Sequence, residues 1–239
     1  MTYPAASGSS DLQKWLWGRD FMRFTLTYDG PLPSKGGPSE KAAIREHFHP
    51  QLAKLWRINP TLKTVMRARY WPTGGAWLVG SHHSEDLPPM PDAPPNSPHL
   101  DLCEPIQIRG AKFLPLVRET LALKCELKIL ILRQVPPGGI LDNGDLDNRL
   151  KTLFDALSIP DRSQEKQYPS PCCDGPIYTL LQNDRDVLGL EIDTRQLLTA
   201  EAEKDDFVRL VIDVTTRVVD VGPYNQSFLG DIIDDVPSR

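Results

Sequence analysis

The sequence predicts a mixed α/β domain, because strand-like and helical segments alternate along most of its 239 residues. Two segments, residues 39–56 and 146–157, place apolar side chains at helical spacing on one side. Segments that alternate between apolar and polar residues stand before, between and after these helices. The composition, 40% hydrophobic and 25% charged, is typical of an ordinary soluble globular protein.

The strand predictions rest on alternation between turn signals. In chain order, the predicted strands are residues 21–28, 75–80, 105–109, 114–117, 121–135, 187–197 and 207–219. The last two are predicted to pair with each other. Pro50 predicts a kink or break in the first helix.

The sequence predicts one folded domain over residues 21–224. Segments without periodicity mark its boundaries and its insertions. The segments outside it or inserted into it are a flexible leader at 1–20, an insertion at about 58–104, a long irregular loop at 158–176 and an acidic mobile tail at 225–239. The insertion contains a stretch with six prolines, residues 87–98, which predicts an extended arm.

Several classes of protein are disfavoured. No apolar run approaches the roughly 20 residues of a membrane helix, and the first residues lack the pattern of a secretion signal. We therefore expect a cytoplasmic protein without a membrane partner. The four cysteines show no metal-ligand spacing, so reduced thiols are expected.

Acidic residues open the second predicted helix. Asp145 stands at the helix start, where it can cap free amides, and Asp147, Lys151 and Asp155 follow at four-residue steps. A further acid, Asp184, precedes the next predicted strand. Because Mg²⁺ takes oxygen ligands from one to three carboxylates, acids from two elements can form a magnesium site. The alternative is a capped amphipathic helix with an Asp-Lys surface pair.

The runs 145–151 (DLDNRLK) and 154–157 (FDAL), followed by Asn183-Asp184 before a strand, resemble the RusA-like Holliday junction resolvases. The resemblance covers about residues 121–219. It implies a small mixed sheet packed with helices and a homodimer. It also implies a Mg²⁺-dependent endodeoxyribonuclease, with Mn²⁺ as a substitute, that cuts four-way DNA junctions in recombination and repair.

Matching the motif residue by residue assigns roles to this chain. The resemblance implies that Asp145, Asp147 and Asp184 hold the metal, and that Lys151 contacts the scissile phosphate or stabilises its developing charge. Asn148 is expected to contact the metal ligands rather than the ion. Asp155 is assigned to structure.

The family's basic run before the acidic motif is replaced here by residues 136–141 (PPGGIL). The net charge is -5, yet residues 41–70 carry seven basic residues and one acidic residue. Such asymmetry predicts a local phosphate-binding face, with a solvated helix face as the alternative. The expected DNA contacts are Arg45, Lys54, Arg57, Lys63, Arg67 and Arg69, with Trp56, Tyr70 and Trp71 stacking on unpaired bases.

Two other interpretations remain open. One is a catalytically weak DNA-binding protein on the same fold. The other is a partner-binding factor of a phage or mobile element, which would use the proline-rich arm and the acidic tail. For the homodimer, the long predicted strands 121–135 and 207–219 are the expected interface.

Overall fold

The computed structural model describes residues 22–66, 69–70, 77–78, 100–134, 145–161, 175–198 and 206–219. Within these ranges the helices are α1 (Pro38–Ile58), α2 (Pro60–Met66) and α3 (Asp145–Leu157). The strands are β1 (Met22–Pro31), β2 (Arg69–Tyr70), β3 (Trp77–Leu78), β4 (Leu100–Asp101), β5 (Ile106–Ile108), β6 (Ala111–Val117), β7 (Leu123–Arg133), β8 (Ile177–Leu181), β9 (Val187–Gln196) and β10 (Phe207–Val218).

The main sheet has four strands in the order β1-β10-β7-β9. β10 is antiparallel to both β1 and β7, whereas β9 is parallel to β7. A second sheet, β5-β6-β8, also mixes antiparallel and parallel pairs, and a small antiparallel sheet has the order β3-β2-β4. This architecture confirms the predicted mixed α/β class.

The core lies between α1, α3 and one face of the main sheet. Side chains of β7 and β10 alternate between buried and accessible, as a sheet with one covered face requires. α1 contributes Ile44, Phe48, Leu52 and Trp56, each at most 2% exposed. The helix continues through Pro50, so the predicted break there does not occur.

The other face of the main sheet carries cross-strand pairs of opposite charge. Asp29 bonds Arg209, Glu126 bonds Arg217 and Lys128 bonds Glu191, with oxygen to nitrogen distances of 2.6, 2.9 and 2.7 Å. Acids and bases thus neutralise one another along this face.

One sequence prediction about the strands is wrong, and one strand was missed. β9 and β10 do not pair with each other, because β7 lies between them. β8 was not predicted, since its short apolar run follows a segment rich in proline. Alternation identifies individual strands but does not identify their partners.

Some sequence predictions lie outside the described residues. These are the leader 1–20, the arm 87–98, the tail 225–239 and most of the loop 158–176. Among the helices that the structure describes, none is long and apolar enough to cross a membrane.

Candidate functional site

The helix that carries the acidic motif is amphipathic, as predicted. Leu153, Ala156 and Leu157 of α3 are at most 1% exposed, while Leu146 and Leu150 pack partly buried against the same core. Burial of this stripe fixes α3 against the sheet and leaves its other side in solvent.

The solvent side of α3 presents two unengaged charged groups. Asp147 and Lys151 are both exposed. Across the part of the chain that is described, no hydrogen bond or ion pair engages either side chain. The Asp-Lys surface pair is therefore not formed. Asn148 is half-buried beside them, and the side chain of Asp145 lies outside the described set.

Other polar residues of α3 have structural partners. Asp155 forms a 2.7 Å ion pair with Lys41 of α1, which agrees with the structural role predicted for it. The guanidinium of Arg149 donates to the carbonyl oxygen of Leu32, just after β1. Along α3, the exposed side chains of Asp147 and Lys151 thus alternate with side chains that bind other parts of the fold, those of Arg149 and Asp155.

Arg45 of α1 closes the C-terminal end of α3. Its Nε donates to the carbonyl oxygen of Ser158 at 2.9 Å, and its Nη2 donates to that of Asp155 at 2.5 Å. A cation that donates to the last carbonyls of a helix satisfies them and complements the helix dipole. Because Arg45 is only 3% exposed, its predicted role as a DNA contact is wrong.

Asp184 opens a short 3-10 turn, Asp184–Asp186, that leads into β9. The Asn183 side chain accepts a hydrogen bond from the Arg185 amide at 3.1 Å and so caps this turn. Asp186 is 7% exposed and is ion-paired with Lys124 at 2.5 Å. Asp184 is exposed, and no described residue engages its carboxylate.

Asp147 and Asp184 lie at opposite ends of the main sheet. Since β7 and β9 are parallel neighbours, the chain between them must return from the end of β7 to the start of β9. The contact of Arg149 with Leu32 places the start of α3 near the end of β1. The end of β1 and the end of β7 lie at the same end of the sheet. Ser158, just after α3, bridges to the last residue of β8, close to Asp184. β9 alone spans about 30 Å.

The structure therefore does not bring Asp147 and Asp184 together within one copy. Among the residues described, no group of three or more His, Cys, Asp or Glu side chains is placed to hold a metal ion. The reason is topological, because the crossover between parallel β7 and β9 separates a residue after one strand from a residue before the next. The metal-binding roles of Asp145, Asp147 and Asp184 stay predictions.

A polar cavity of about 790 Å³ opens at the C-terminal end of α3. Its walls include Asp184 and Arg185 from the turn before β9, Lys41 and Asp155 from the helix pair, and Arg109 from the β5–β6 hairpin. Arg109 has a positive φ of 53°, which costs energy for a residue other than glycine. Sequence reasoning missed this cavity, and the only signal for it was Arg-Gly at a two-residue hairpin turn.

The remaining basic residues of the predicted DNA-binding set differ in status. Lys54, Arg57 and Lys63 are exposed on α1 and α2 and are available to phosphates. Arg67 and the side chain of Arg69 lie outside the described residues. Trp56 is 1% exposed, so its predicted stacking on bases is wrong. The side chain of Tyr70 and all of Trp71 lie outside the described residues.

Cys125 and His49 are among the buried or partly buried groups whose pKa values are shifted. Burial, reinforced by the neighbouring Asp186, raises the pKa of the Cys125 thiol to about 12, so this cysteine stays protonated and unreactive. Burial lowers the pKa of His49, whose Nδ1 accepts a 2.9 Å hydrogen bond from the Tyr178 amide. Both groups serve packing rather than chemistry.

The fold and the exposed motif define a mixed α/β protein with unengaged carboxylates on a surface helix and at a strand entrance. Comparison of the chain with protein-family models, with curated proteins and with solved structures returned no match.

Proposed function

We propose that the chain is a Mg²⁺-dependent endodeoxyribonuclease of the RusA-like kind, which cleaves branched DNA such as Holliday junctions in recombination and repair. One observation carries the proposal: Asp147, Lys151 and Asp184 are exposed and unengaged by any described residue. Asp155 on the same helix and Asp186 in the same turn are instead ion-paired with lysines. The positions that the motif singles out are thus the ones left available for a ligand.

The donor set suits a hard cation. Carboxylates of Asp145, Asp147 and Asp184 would supply the oxygen ligands, and bound Mg²⁺ would lower the pKa of a water and neutralise charge at the scissile phosphate. Lys151, one turn after Asp147, would hold that phosphate, and Asn148 would steady the carboxylates. Mn²⁺ is expected to substitute for Mg²⁺.

The DNA would lie across the exposed basic residues of α1 and α2, Lys54, Arg57 and Lys63, continuing to Arg67 and Arg69. The charged face of the main sheet is a poorer candidate, because its acids and bases are paired. A homodimer fits this substrate, since a four-way junction has approximate two-fold symmetry and needs two cuts.

A catalytically weak DNA-binding protein on the same fold is a second candidate. The separation of Asp147 from Asp184 in one copy favours it, because two distant carboxylates hold a cation poorly. A factor that binds a protein partner would use the arm 87–98 and the tail 225–239, and no described residue bears on it.

The test is a cleavage assay on synthetic four-way, flap and linear duplex DNA. We expect Mg²⁺-dependent cleavage of the branched substrates, suppression by a chelator, and little cleavage of the linear duplex. Binding of branched DNA without cleavage in Mg²⁺ or Mn²⁺ would instead support the second candidate. Absence of both binding and cleavage would contradict the proposal.

A further inference from the structure

The polar cavity at the C-terminal end of α3 is separate from the acidic start of that helix. Ser158, which follows the last turn, lines the cavity, and about 16 Å of helix lies between it and Asp147. Neither Asp147 nor Lys151 is among the residues described in the cavity wall. A volume of about 790 Å³ is within the range of small-molecule sites in proteins. The cavity is therefore large enough for a ligand of its own.

Two polar groups in the wall of this cavity are buried without a hydrogen-bond partner. Ser158 is 8% exposed, and neither its hydroxyl oxygen nor Nε of Arg109 is bonded to any described residue. Folded proteins leave few buried donors unpaired, because the loss of water is then not compensated. Such groups are commonly completed by a bound water or ligand. Because both groups can donate, they favour a ligand that is rich in acceptors.

Arg109 is held in an unfavourable backbone conformation. It forms the β5–β6 turn with Gly110, and the two residues have positive φ angles of 53° and 83°. Glycine, asparagine and aspartate are the usual residues in such a turn. One arm of the guanidinium, Nη2, donates to the carbonyl oxygen of Asp161. Strain of this kind is typical of residues that a protein retains for the function of their side chains.

The negative groups at the end of α3 are compensated within the cavity wall. Asp155 is ion-paired with Lys41 at 2.7 Å, and Arg45 covers the last carbonyl oxygens of the helix. Arg185, which also lines the cavity, is exposed, and no described residue engages its guanidinium. Arg185 and the unbonded part of Arg109 thus remain as cationic donors. Guanidinium groups suit phosphate oxygens in both charge and geometry.

Two acidic residues limit what the ligand can be. Glu119 and Asp184 line the same cavity and are exposed. Their carboxylates would repel a ligand with several phosphates, but they accept hydrogen bonds from hydroxyl groups. No aromatic residue is among the described residues of the wall, so a nucleobase would have no ring to stack on. A single phosphate attached to a hydroxyl-bearing sugar matches these groups.

We propose that this cavity binds a sugar phosphate, as a site distinct from the acidic motif of α3. Arg109 and Arg185 donate to the phosphate, and the Ser158 hydroxyl reaches it by rotation about χ1. The carboxylates of Glu119 and Asp184 accept from the sugar hydroxyls. The ligand has two sources with the same chemistry, a free sugar phosphate and the 5′-phosphorylated end of a DNA strand. The inference does not rest on the proposed cleavage activity.

Calorimetric titration with ribose 5-phosphate and with inorganic phosphate tests the site. A chelator is present throughout, so that no metal ion mediates the binding. We expect ribose 5-phosphate to bind more tightly than inorganic phosphate, because only the sugar engages the carboxylates. Arg185→Gln should weaken binding at least about tenfold, since it removes a charged donor. Arg195→Gln, at the far end of β9 where Arg195 pairs with Asp193, should bind as the unmodified chain does.

Two results of this titration overturn the proposal. One is the absence of binding of either probe at millimolar concentration. The other is equal affinity of Arg185→Gln and the unmodified chain for ribose 5-phosphate.

Ser158→Ala separates a role in binding from a role in packing. Because the hydroxyl has no described partner, its removal should leave the urea midpoint unchanged or raise it, while the affinity for ribose 5-phosphate falls. This combination supports the site. A lowered midpoint with unchanged affinity would assign the hydroxyl to packing and contradict its part in the site.

Competition by DNA hairpins identifies the source of the ligand. Two hairpins that differ only in a 5′-phosphate or a 5′-hydroxyl end are titrated against bound ribose 5-phosphate, again in chelator. Competition that needs the 5′-phosphate and is lost in Arg185→Gln identifies a DNA end as the ligand. Equal competition by the two hairpins identifies a free sugar phosphate. A chain that binds ribose 5-phosphate but cleaves no DNA would refute the nuclease proposal and keep this site.

Discussion

Arg149 and Lys151 stand two residues apart on α3 and have opposite environments. The Arg149 guanidinium is bound to the Leu32 carbonyl, while the Lys151 ammonium is exposed and has no described partner. A free cation one turn from an acidic motif is placed to meet a phosphate. The difference separates a residue that holds the fold from one that is available for chemistry.

Replacement of Lys151 by alanine should therefore lower cleavage without lowering stability. If the ammonium stabilises charge that develops on the phosphate, the loss is on the order of 10²-fold in the single-turnover rate. Lys112→Ala, a matched change at an exposed lysine of β6, should cleave normally. An unchanged rate in Lys151→Ala would reduce Lys151 to a solvated surface residue.

Arg45 illustrates the opposite case, a cation that the fold uses fully. Arg45→Met should destabilise the protein, because it leaves the Asp155 and Ser158 carbonyls without their donor, at about 1–3 kcal/mol for each group. Arg45→Lys should recover only part of this, since one ammonium does not reproduce the fork of donors. Urea unfolding measures both variants, and an unchanged midpoint in Arg45→Met would exclude the capping role.

The loop that leads into α1 approaches α3 closely at Gly36. A Cβ at this position would lie 2.4 Å from Cγ2 of the buried Thr152, whose hydroxyl also accepts from the Gly36 amide at 3.3 Å. Gly36→Ala should therefore destabilise the protein. Addition of Thr152→Ser removes Cγ2 and keeps the hydroxyl, so the double variant should regain stability relative to Gly36→Ala. Additive losses in the unfolding experiment would contradict this contact.

The junction between α1 and β8 depends on a neutral histidine. Burial lowers the pKa of His49 below its ordinary 6.5 in the folded chain, so the unfolded chain binds the proton more readily. Stability from this site is present above about pH 6.5 and is lost as the pH falls through the folded-state pKa. His49→Gln should lose less stability than the unmodified chain between pH 7.5 and pH 5, by urea unfolding. Identical losses would show that the Tyr178 contact does not titrate.

The sequence predicted individual elements better than their arrangement. The elements α1, α3, β7 and β10 could be predicted because each buries one face, and the spacing of apolar residues indicates which face is buried. The neighbour of β9 in the sheet depends on the packing of the whole sheet. The parallel pairing of β9 with β7 could therefore not be predicted from the sequence. The separation of Asp147 from Asp184 follows from that pairing and was missed with it. The amphipathic pattern predicts that a cation such as Lys151 is exposed. It makes the same prediction for Arg45, so the burial of Arg45 could not be predicted.

Over the whole molecule, the charge distribution limits where the proposed DNA substrate could lie. Ion pairs on the outer face of the main sheet neutralise many of its charges, whereas Lys54, Arg57 and Lys63 of α1 and α2 are exposed and no described residue pairs with them. Affinity should fall with salt at a logarithmic slope of about -0.9 for each phosphate contact.

Charge reversal at Lys54, Arg57 and Lys63 should weaken junction binding and flatten its salt dependence, because three phosphate contacts are lost. Charge reversal at Arg209, which is already paired with Asp29 on the sheet face, should leave the slope unchanged. Binding isotherms at several salt concentrations compare the two. If the triple variant keeps both affinity and slope, this basic surface is only solvated and the DNA contacts lie elsewhere.

A matched pair of substitutions on α3 tests the proposed catalytic role of the unengaged acids. Asp147→Asn and Asp155→Asn each remove one negative charge from α3, but Asp147 is unengaged by described residues whereas Asp155 is held by Lys41. In single-turnover cleavage of a four-way junction with Mg²⁺, we expect Asp147→Asn to abolish cleavage while it still folds and binds the junction. We expect Asp155→Asn to cleave close to the unmodified rate. Equal cleavage by the two variants would contradict the proposed role of Asp147.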